Sequence, residues 1–343
     1  MTPPPRIAVL VPCRNEAATV AKVVRDFHAA LPQCDVYVYD NGSSDGTAGV
    51  ARSAGATVRV EQRPGKGGVV RRMLGEIDAD IYVIVDGDAT YDAASAPRMV
   101  AELAANDLDM VTAVRDERGA AAWRRGHRLG NRAFNALLRV LFGSRPADML
   151  SGYRVVSRRF AKSFPATSRG FEIETELTVH ALEQRLPTAE VTTPYFERPA
   201  GSASKLSTYG DGARILWMTA MLFRDEKPLA FFGGIALVIA TAGLLLGGSV
   251  IVEFMETHFV ARFPTAILAT GLMLLAFLSL GVGLILNNVA RGRREMKRLA
   301  YLAVTASRVS VALPSADVRL SDAKHGVPAA DAQAPEPSRS VTG

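Results

Sequence analysis

Short apolar runs punctuated by polar, glycine-bearing segments occupy the first two thirds of the chain, and two long uncharged runs follow. Ile7–Val11, Val36–Tyr39, Thr57–Val60, Ile81–Val85 and Met110–Val114 are rich in β-branched residues and predict strands, the fourth of them buried on both faces. Between them lie helical stretches. The first runs from Glu16 to about Ala30, with Asn15 as its cap and Val20, Val23, Val24 and Phe27 on its inner face. Strands alternating with helices at this spacing predict βαβ units and a parallel sheet. Beyond it, Leu129, Phe134, Leu137, Leu138 and Leu141 mark one apolar face, and Arg124, Arg125, Arg128 and Arg132 populate another. A helix around Glu172–Gln184 and a strand near Ala189–Thr193 complete this region.

From Thr208 to Arg224 the pattern is amphipathic, and Trp217 fits a helix lying along a membrane interface better than a sugar-stacking site. Leu229–Val252 and Thr265–Leu286 contain no charged residue, and each exceeds the ~20 residues needed to cross a bilayer. Gly243, Gly247, Gly248, Gly271, Gly281 and Gly283 would permit close helix contact there. Arg224 and Lys227 flank the pair on one side and Arg291, Arg293, Arg294, Lys297 and Arg298 on the other. Both ends are therefore expected on the cytoplasmic side, with the Glu253–Pro264 loop outside. After about Ser307 the chain loses periodicity, which predicts disorder.

Composition changes the picture in three places. The net charge of +6 is modest, and the basic residues cluster between Arg115 and Arg145 or beside the apolar runs. That distribution points to phosphate groups or an anionic membrane surface, and the lack of interleaved aromatics argues against nucleic acid. Cys13 and Cys34 are the only cysteines, which fits a reducing compartment and ordinary core packing. The apolar run behind Met1–Arg6 is too short for a signal-peptide core, so the first domain is expected to stay cytoplasmic.

Chemistry gathers at the strand ends. The first loop gives Pro12-Cys-Arg-Asn-Glu16, the second Asp40, the third Lys66 among glycines, and the fourth Asp86 and Asp88. In a doubly wound sheet such loops meet in one crevice. Paired hard oxygens suit Mg²⁺ or Mn²⁺, Asp40 can accept hydrogen bonds from a nucleobase, and Lys66 can approach phosphates. Gly65-Lys66-Gly67 is not a P-loop, because the four-residue gap and the Ser/Thr are missing. Asp148 can be read as a cap on the Ser151–Gly152 amides. Glu172, Glu174 and Glu176 cannot all face one site at helical pitch, and Glu174 is the choice among them. His127 and His180 read as packing or surface residues.

Pro12-Cys-Arg-Asn-Glu16, Asp40-Asn-Gly-Ser-Ser-Asp-Gly-Thr47, Gly65-Lys-Gly67 and Asp86-Gly-Asp88 resemble the motifs of glycosyltransferase family 2, whose fold is GT-A. Asp148-x-x-Ser151-Gly152-Tyr153-Arg154, Gly170-Phe-Glu-Ile-Glu174 and Arg198…Ser204-Lys205-Leu206 are similar to those of dolichol-phosphate mannose synthases and bacterial polyprenyl-phosphate glycosyltransferases. The resemblance covers about residues 5–210, and the Gln-x-x-Arg-Trp motif of processive synthases is missing.

The resemblance implies an α/β fold with a GT-A-type doubly wound, mostly parallel sheet, followed by an interfacial helix and a two-helix transmembrane hairpin. The corresponding segments are a cytoplasmic catalytic domain (1–206), an amphipathic helix (207–227), two membrane helices (228–290), and a basic juxtamembrane segment with a disordered tail (291–343). It further implies that Pro12, Arg14, Glu16, Asp40 and Lys66 hold the donor nucleotide sugar. Asp86 and Asp88 would hold Mg²⁺ or Mn²⁺ with the donor diphosphate, although Thr90 stands where the family often has Gln. Arg115, Arg125 or Arg128, Arg198 and Lys205 would grip donor and lipid phosphates, with Asp88 and Asp148 at the catalytic centre, Asp148 as base or acceptor-positioning group.

The implied activity is inverting transfer of one sugar from a UDP- or GDP-sugar to polyprenyl phosphate at the cytoplasmic face of the inner membrane. The expected partners are the nucleotide sugar, polyprenyl phosphate and membrane lipid, not nucleic acid, and a homo-oligomer is compatible with the sequence. Two other readings stand beside it: a non-catalytic membrane sensor, and a transferase with a non-lipid acceptor.

Overall fold

Alternation in the first strand, β1 (Ile7–Cys13), sends Val9, Val11 and Cys13 to one face and Ala8 and Leu10 to the other, and both sets are buried. A strand flanked on both faces by helices requires this. The computed structural model of the chain describes residues 4–116, 147–166, 173–198 and 220–305. Within them, β1 is joined by β2 (Cys34–Asp40), β3 (Thr57–Val60), β4 (Ile81–Ile84), β5 (Met110–Asp116), β6 (Arg154–Ser157) and β7 (Thr188–Pro194) in one sheet. The order is β3-β2-β1-β4-β6-β5-β7. Only β6 runs antiparallel to its neighbours β4 and β5. The sheet is thus mostly parallel, and the order reverses at the β1–β4 pair, where an α/β sheet opens its ligand crevice.

Several strands run further than the sequence pattern predicts. β1 passes through Pro12 to Cys13 because it stays in register with β2, pairing Cys13 with Asp40. Its other neighbour, β4, stops pairing at Leu10–Ile84. The missing N–H of Pro12 therefore lies where the β4 ladder has already ended.

Helices α1 (Val20–Ala30), α2 (Thr47–Ser53) and α4 (Ala96–Ala105) bear on one apolar layer, built on Val9, Val36, Val83 and Val111. α3 (Lys66–Glu76), α5 (Arg158–Ser163) and α6 (Ile173–Gln184) bear on the other, built on Leu10, Tyr82, Ile84 and Val156. The first helix starts later than its apolar pattern suggested. Residues 16–19 form a turn in which Thr19 and Val20 N–H donate to the Glu16 carbonyl. Asn15, expected as the cap, takes a left-handed backbone (φ 54°) and its side chain accepts from Ser44 N–H instead.

Two helices follow, α7 (Pro228–Thr257) and α8 (Phe263–Ala303), both long and apolar enough to cross a membrane. Most of their large apolar side chains face outward, as Leu237, Leu245 and Phe277 do. They pack together through glycine: Gly243 faces Leu272 and Ala269, Gly247 faces Ala269, and Gly283 faces Phe232. Gly248, Gly271 and Gly281 face open space, so only half of the glycines singled out in the sequence serve this contact.

α8 does not stop at Leu286. It continues through the basic stretch to Ala303, because Arg, Glu, Met, Lys, Leu and Ala there are good helix formers. This extension rests on the sheet domain. Lys297 pairs with Glu183 at 2.7 Å, Tyr301 donates to Asp109 at 2.7 Å, and the Arg159 guanidinium lies 4.1 Å from the Tyr301 ring. The expected amphipathic helix before the hairpin is described only over residues 220–226, which are helical. The Arg124–Arg132 cluster with Arg125, Arg128 and His127, together with Lys205, Trp217 and the tail, lies outside the described residues.

Candidate active site

Parallel strands deliver four loops to one edge, and side-chain hydrogen bonds stitch those loops together. Asn15 N–H donates to Ser43 Oγ at 2.8 Å, Glu16 N–H to Thr47 Oγ1 at 2.9 Å, and Ala17 N–H to Asp45 at 3.0 Å. Thr19 Oγ1 donates to the Gly87 carbonyl at 2.7 Å, tying the first loop to the fourth. Asn41 ties the second loop to the third: its amide donates to the Glu61 and Arg63 carbonyls, and its Oδ1 accepts from Gly65 N–H. Sequence reasoning passed over Asn41, although an Asn directly after a strand-end Asp is a recurrent turn-forming residue. Gly65 has φ 129°, a conformation that side-chain-bearing residues rarely adopt, and it opens α3 at Lys66.

Of the first-loop candidates, Pro12 is buried, Arg14 is exposed and Glu16 is half-buried. Asp40 is buried and accepts from the Ser43 amide and hydroxyl. Cys13 lies behind them with its thiol pushed well up, by burial first and then by Glu16, Asp86 and Asp40. It stays a neutral packing residue, as does Cys34.

The fourth loop is the most crowded. A Cβ at Gly87 would overlap Cys13 and Glu16, and one at Gly152 would overlap the Asp86 carboxylate. Glycine at both positions lets the Asp86–Asp88 loop sit against its neighbours. Asp88 is buried, and its Oδ1 accepts from the Thr90 hydroxyl at 2.7 Å while Oδ2 meets Arg198 at 2.7 Å. Thr90 thus orients Asp88.

Asp86 accepts from Lys66, which also donates to Glu174 at the start of α6. Burial alone would lower the Lys66 ammonium, but Asp86 and Glu174 outweigh it and hold the pKa far above the ordinary lysine range. Glu174 itself is pushed up, chiefly by burial.

Arg115 forms a two-pronged pair with Asp148, Nε at 2.6 Å and Nη2 at 2.9 Å, and its guanidinium lies 5.4 Å from the Tyr195 ring. Burial would lower the Arg115 pKa, but the hydrogen bonds and charge of Asp148 outweigh it and hold the guanidinium above the ordinary arginine range. Asp148 does not cap the Ser151–Gly152 amides. Gly152 N–H instead donates to Tyr91 Oη at 2.8 Å, and Tyr91 packs edge-on against Tyr153 and Tyr195. Tyr91, which sequence reasoning did not single out, thereby joins three segments of the crevice. Beneath them Arg154 is fully buried, donating to the carbonyls of Ser151 and Met149.

The edge therefore collects Asp40, Lys66, Asp86, Asp88, Arg115, Asp148, Glu174 and Arg198. Each of the three cations is paired with a carboxylate, Lys66 with two of them. Among the described residues, no group of three or more His, Cys, Asp or Glu forms a ready-made metal cage. Asp86 and Asp88 nonetheless fit a divalent cation: they are hard oxygens on one strand end, paired with Lys66 and Arg198, and Mg²⁺-type sites commonly use one or two carboxylates completed by substrate phosphates.

A sequence profile for glycosyl transferase family 2 matches residues 8–164. Glycosyltransferase AglJ of Haloferax volcanii is 33% identical over 307 residues, covering 88% of this chain and 100% of AglJ. A dolichyl-phosphate hexose transferase of the same organism is 31% identical over 210 residues, 61% of this chain and 90% of its own. Among solved structures, glucosyl-3-phosphoglycerate synthase from Mycobacterium tuberculosis, in complex with Mn²⁺, UDP and glucosyl-3-phosphoglycerate, superposes with a TM-score of 0.53 at 26% identity. That match covers 64% of this chain and 79% of the synthase. Fold, strand-end carboxylates and kinship agree: the chain belongs to glycosyltransferase family 2 and has a GT-A-like fold with two candidate membrane helices.

Proposed function

We propose that the protein transfers a single sugar from a nucleotide-sugar donor to polyprenyl phosphate at the cytoplasmic face of the membrane. The observation that carries this reading is the meeting of Asp86 and Asp88 with Lys66 and Arg198 at the end of β4, in a chain whose α8 runs from a membrane-length apolar stretch onto the same domain. The relative named dolichyl-phosphate hexose transferase supports a lipid acceptor, and the synthase bound to Mn²⁺ and UDP supports a nucleotide-diphosphate donor.

In this reading the stitched first and second loops cradle the nucleoside, with Asp40 facing its base. Asp86 and Asp88 would hold the divalent cation, which neutralises charge on the departing diphosphate. Arg115 and Arg198, with Lys205 and one of Arg125 or Arg128, would take the phosphates of donor and acceptor. A phosphate oxygen of the acceptor forms the new bond to the anomeric carbon from the face opposite the leaving group. The bond from that carbon to the diphosphate oxygen breaks, its electron pair leaves on the nucleoside diphosphate, and the configuration inverts.

A lipid monophosphate is already anionic near neutral pH, so no strong base is required. Asp148, with both oxygens on Arg115, orients that cation and does not abstract a proton. A second reading, with a non-lipid phosphorylated acceptor, is favoured by the ligand set of the solved synthase and disfavoured by the two candidate membrane helices.

The test uses purified protein in detergent with radiolabelled UDP- and GDP-sugars, Mn²⁺ and undecaprenyl phosphate, scoring label in the organic phase. Label in a mild-acid-labile lipid is the expected result. Label appearing only on a water-soluble acceptor would replace the lipid reading. Asp88→Ala is expected to lower turnover by at least about 100-fold, the scale seen when one charge-stabilising group is removed from a reaction centre, while leaving the protein folded. Retained activity at saturating Mn²⁺ and Mg²⁺ would remove Asp88 from the metal site.

A further inference from the structure

Lys66 is held by two carboxylates at once, and the two are not equivalent. Asp86 stands on the strand end beside Asp88, with a side chain 25% exposed, whereas Glu174 comes from α6 and its side chain is only 8% exposed. The Lys66 side chain is itself 12% exposed, too little for water to compensate its charge. Among the described residues, Asp86, Asp88 and Glu174 do not form a three-carboxylate cage. Glu174 and Asp86 share the Lys66 ammonium that lies between them. The Asp86 carboxylate occupies the space where a Cβ at Gly152 would stand.

A carboxylate occupied by a buried ammonium must give up that partner, at least in part, before it can ligate a divalent cation. If Asp86 were the only counter-charge, the exchange would strand Lys66. With Glu174 present, Lys66 remains paired throughout. The charges agree: Lys66, Asp86 and Glu174 sum to −1, and a divalent cation brings the group to +1. Without Glu174 the same arrival would leave +2 in a nearly closed space.

We propose that Glu174 is a positioning residue that retains Lys66 while Asp86 passes from the internal ammonium to a divalent cation. The proposal rests on the reading that Asp86 helps to hold that cation. Lys66 then acts as a resident counter-ion that occupies the carboxylate until the cation arrives, and as a donor facing the phosphates afterwards.

The exchange predicts opposite effects for two neighbours in one network. Mn²⁺ is titrated alone into the purified full chain in detergent, without nucleotide or acceptor, and the electron paramagnetic resonance signal of free aqueous Mn²⁺ reports binding. Lys66→Met removes the competitor and is expected to tighten Mn²⁺ binding about tenfold; Glu174→Gln is expected to weaken it by about the same factor, within the usual coupling of groups sharing an ion-pair network.

A purely structural ion pair would lower the melting temperature of both variants and shift Mn²⁺ affinity in neither or in the same direction. Shifts of the same sign, or no tightening in Lys66→Met, overturn the proposal. Should Glu174→Gln fail to fold, the tightening required of Lys66→Met still decides the matter. Because donor and acceptor are absent, failure to glycosylate polyprenyl phosphate leaves this measurement intact, and unchanged Mn²⁺ binding leaves the transferase reading standing.

Discussion

At the scale of single residues, the crevice depends as much on what is missing as on what is present. Gly152 has no special backbone need; it is glycine because the Asp86 carboxylate lies where its Cβ would be. Gly152→Ala is therefore expected to swing Asp86 aside and lower turnover about 100-fold, the usual penalty for a misplacement of about 1 Å at a reaction centre. Far-UV circular dichroism should be unchanged, and a rate within twofold of the parent would show that Asp86 has room to spare. The strand-end carboxylates were legible in the sequence because their signals are local: a β-branched run, then Asp-Gly. Lys66 and Glu174 were singled out as well, but their meeting was not foreseen. Lys66 and Glu174 lie 108 positions apart, and no periodicity announces that an α6 carboxylate will meet an α3 ammonium. Tyr91 was hidden for the same reason, and Arg154 was visible only as part of a family motif, since both act on a loop that the fold brings to them.

At the scale of elements, the sheet and its alternating helices followed from apolar patterning, and the discrepancies sit at element ends. There the pairing register lengthened β1 and β5, and a loop-to-loop hydrogen bond replaced the expected Asn15 cap. Packing between α5 and α6 offers a test. His180 on α6 is buried against Phe160 and Phe164, and its pKa is lowered to about 4, by burial first and then by Lys297. A depressed folded-state value means that the unfolded chain takes up the proton first, so this group costs stability as pH falls from about 6.5 towards 4. The melting temperature of His180→Gln should depend less on pH across that window than that of the parent. An unchanged slope would show that other groups govern acid unfolding. The packing role read for His180 from sequence agrees with this burial.

At the scale of the whole molecule, the long second apolar helix was legible from its uncharged run, but its continuation was not. A basic juxtamembrane stretch reads equally well as solvated coil until Lys297 and Tyr301 find Glu183 and Asp109. In the proposed membrane-bound reading, an unbroken helix running from the bilayer to the sheet domain has a mechanical consequence, because it transmits both phase and height. One alanine inserted after Ala290 turns everything beyond it by about 100° and advances it by about 1.5 Å, whereas seven residues nearly restore the phase but add about 10 Å. With undecaprenyl phosphate embedded in vesicles, the single insertion should slow transfer by disturbing the domain's facing, and the seven-residue insertion by lifting the crevice from the headgroups. With a short, water-soluble prenyl phosphate both insertions should be far less harmful, since such an acceptor comes to the crevice at any height. Equal losses on both acceptors would mean that the insertions damage the domain itself. On this view α8 is a gauge as well as an anchor, fixing where above the bilayer surface the reaction takes place.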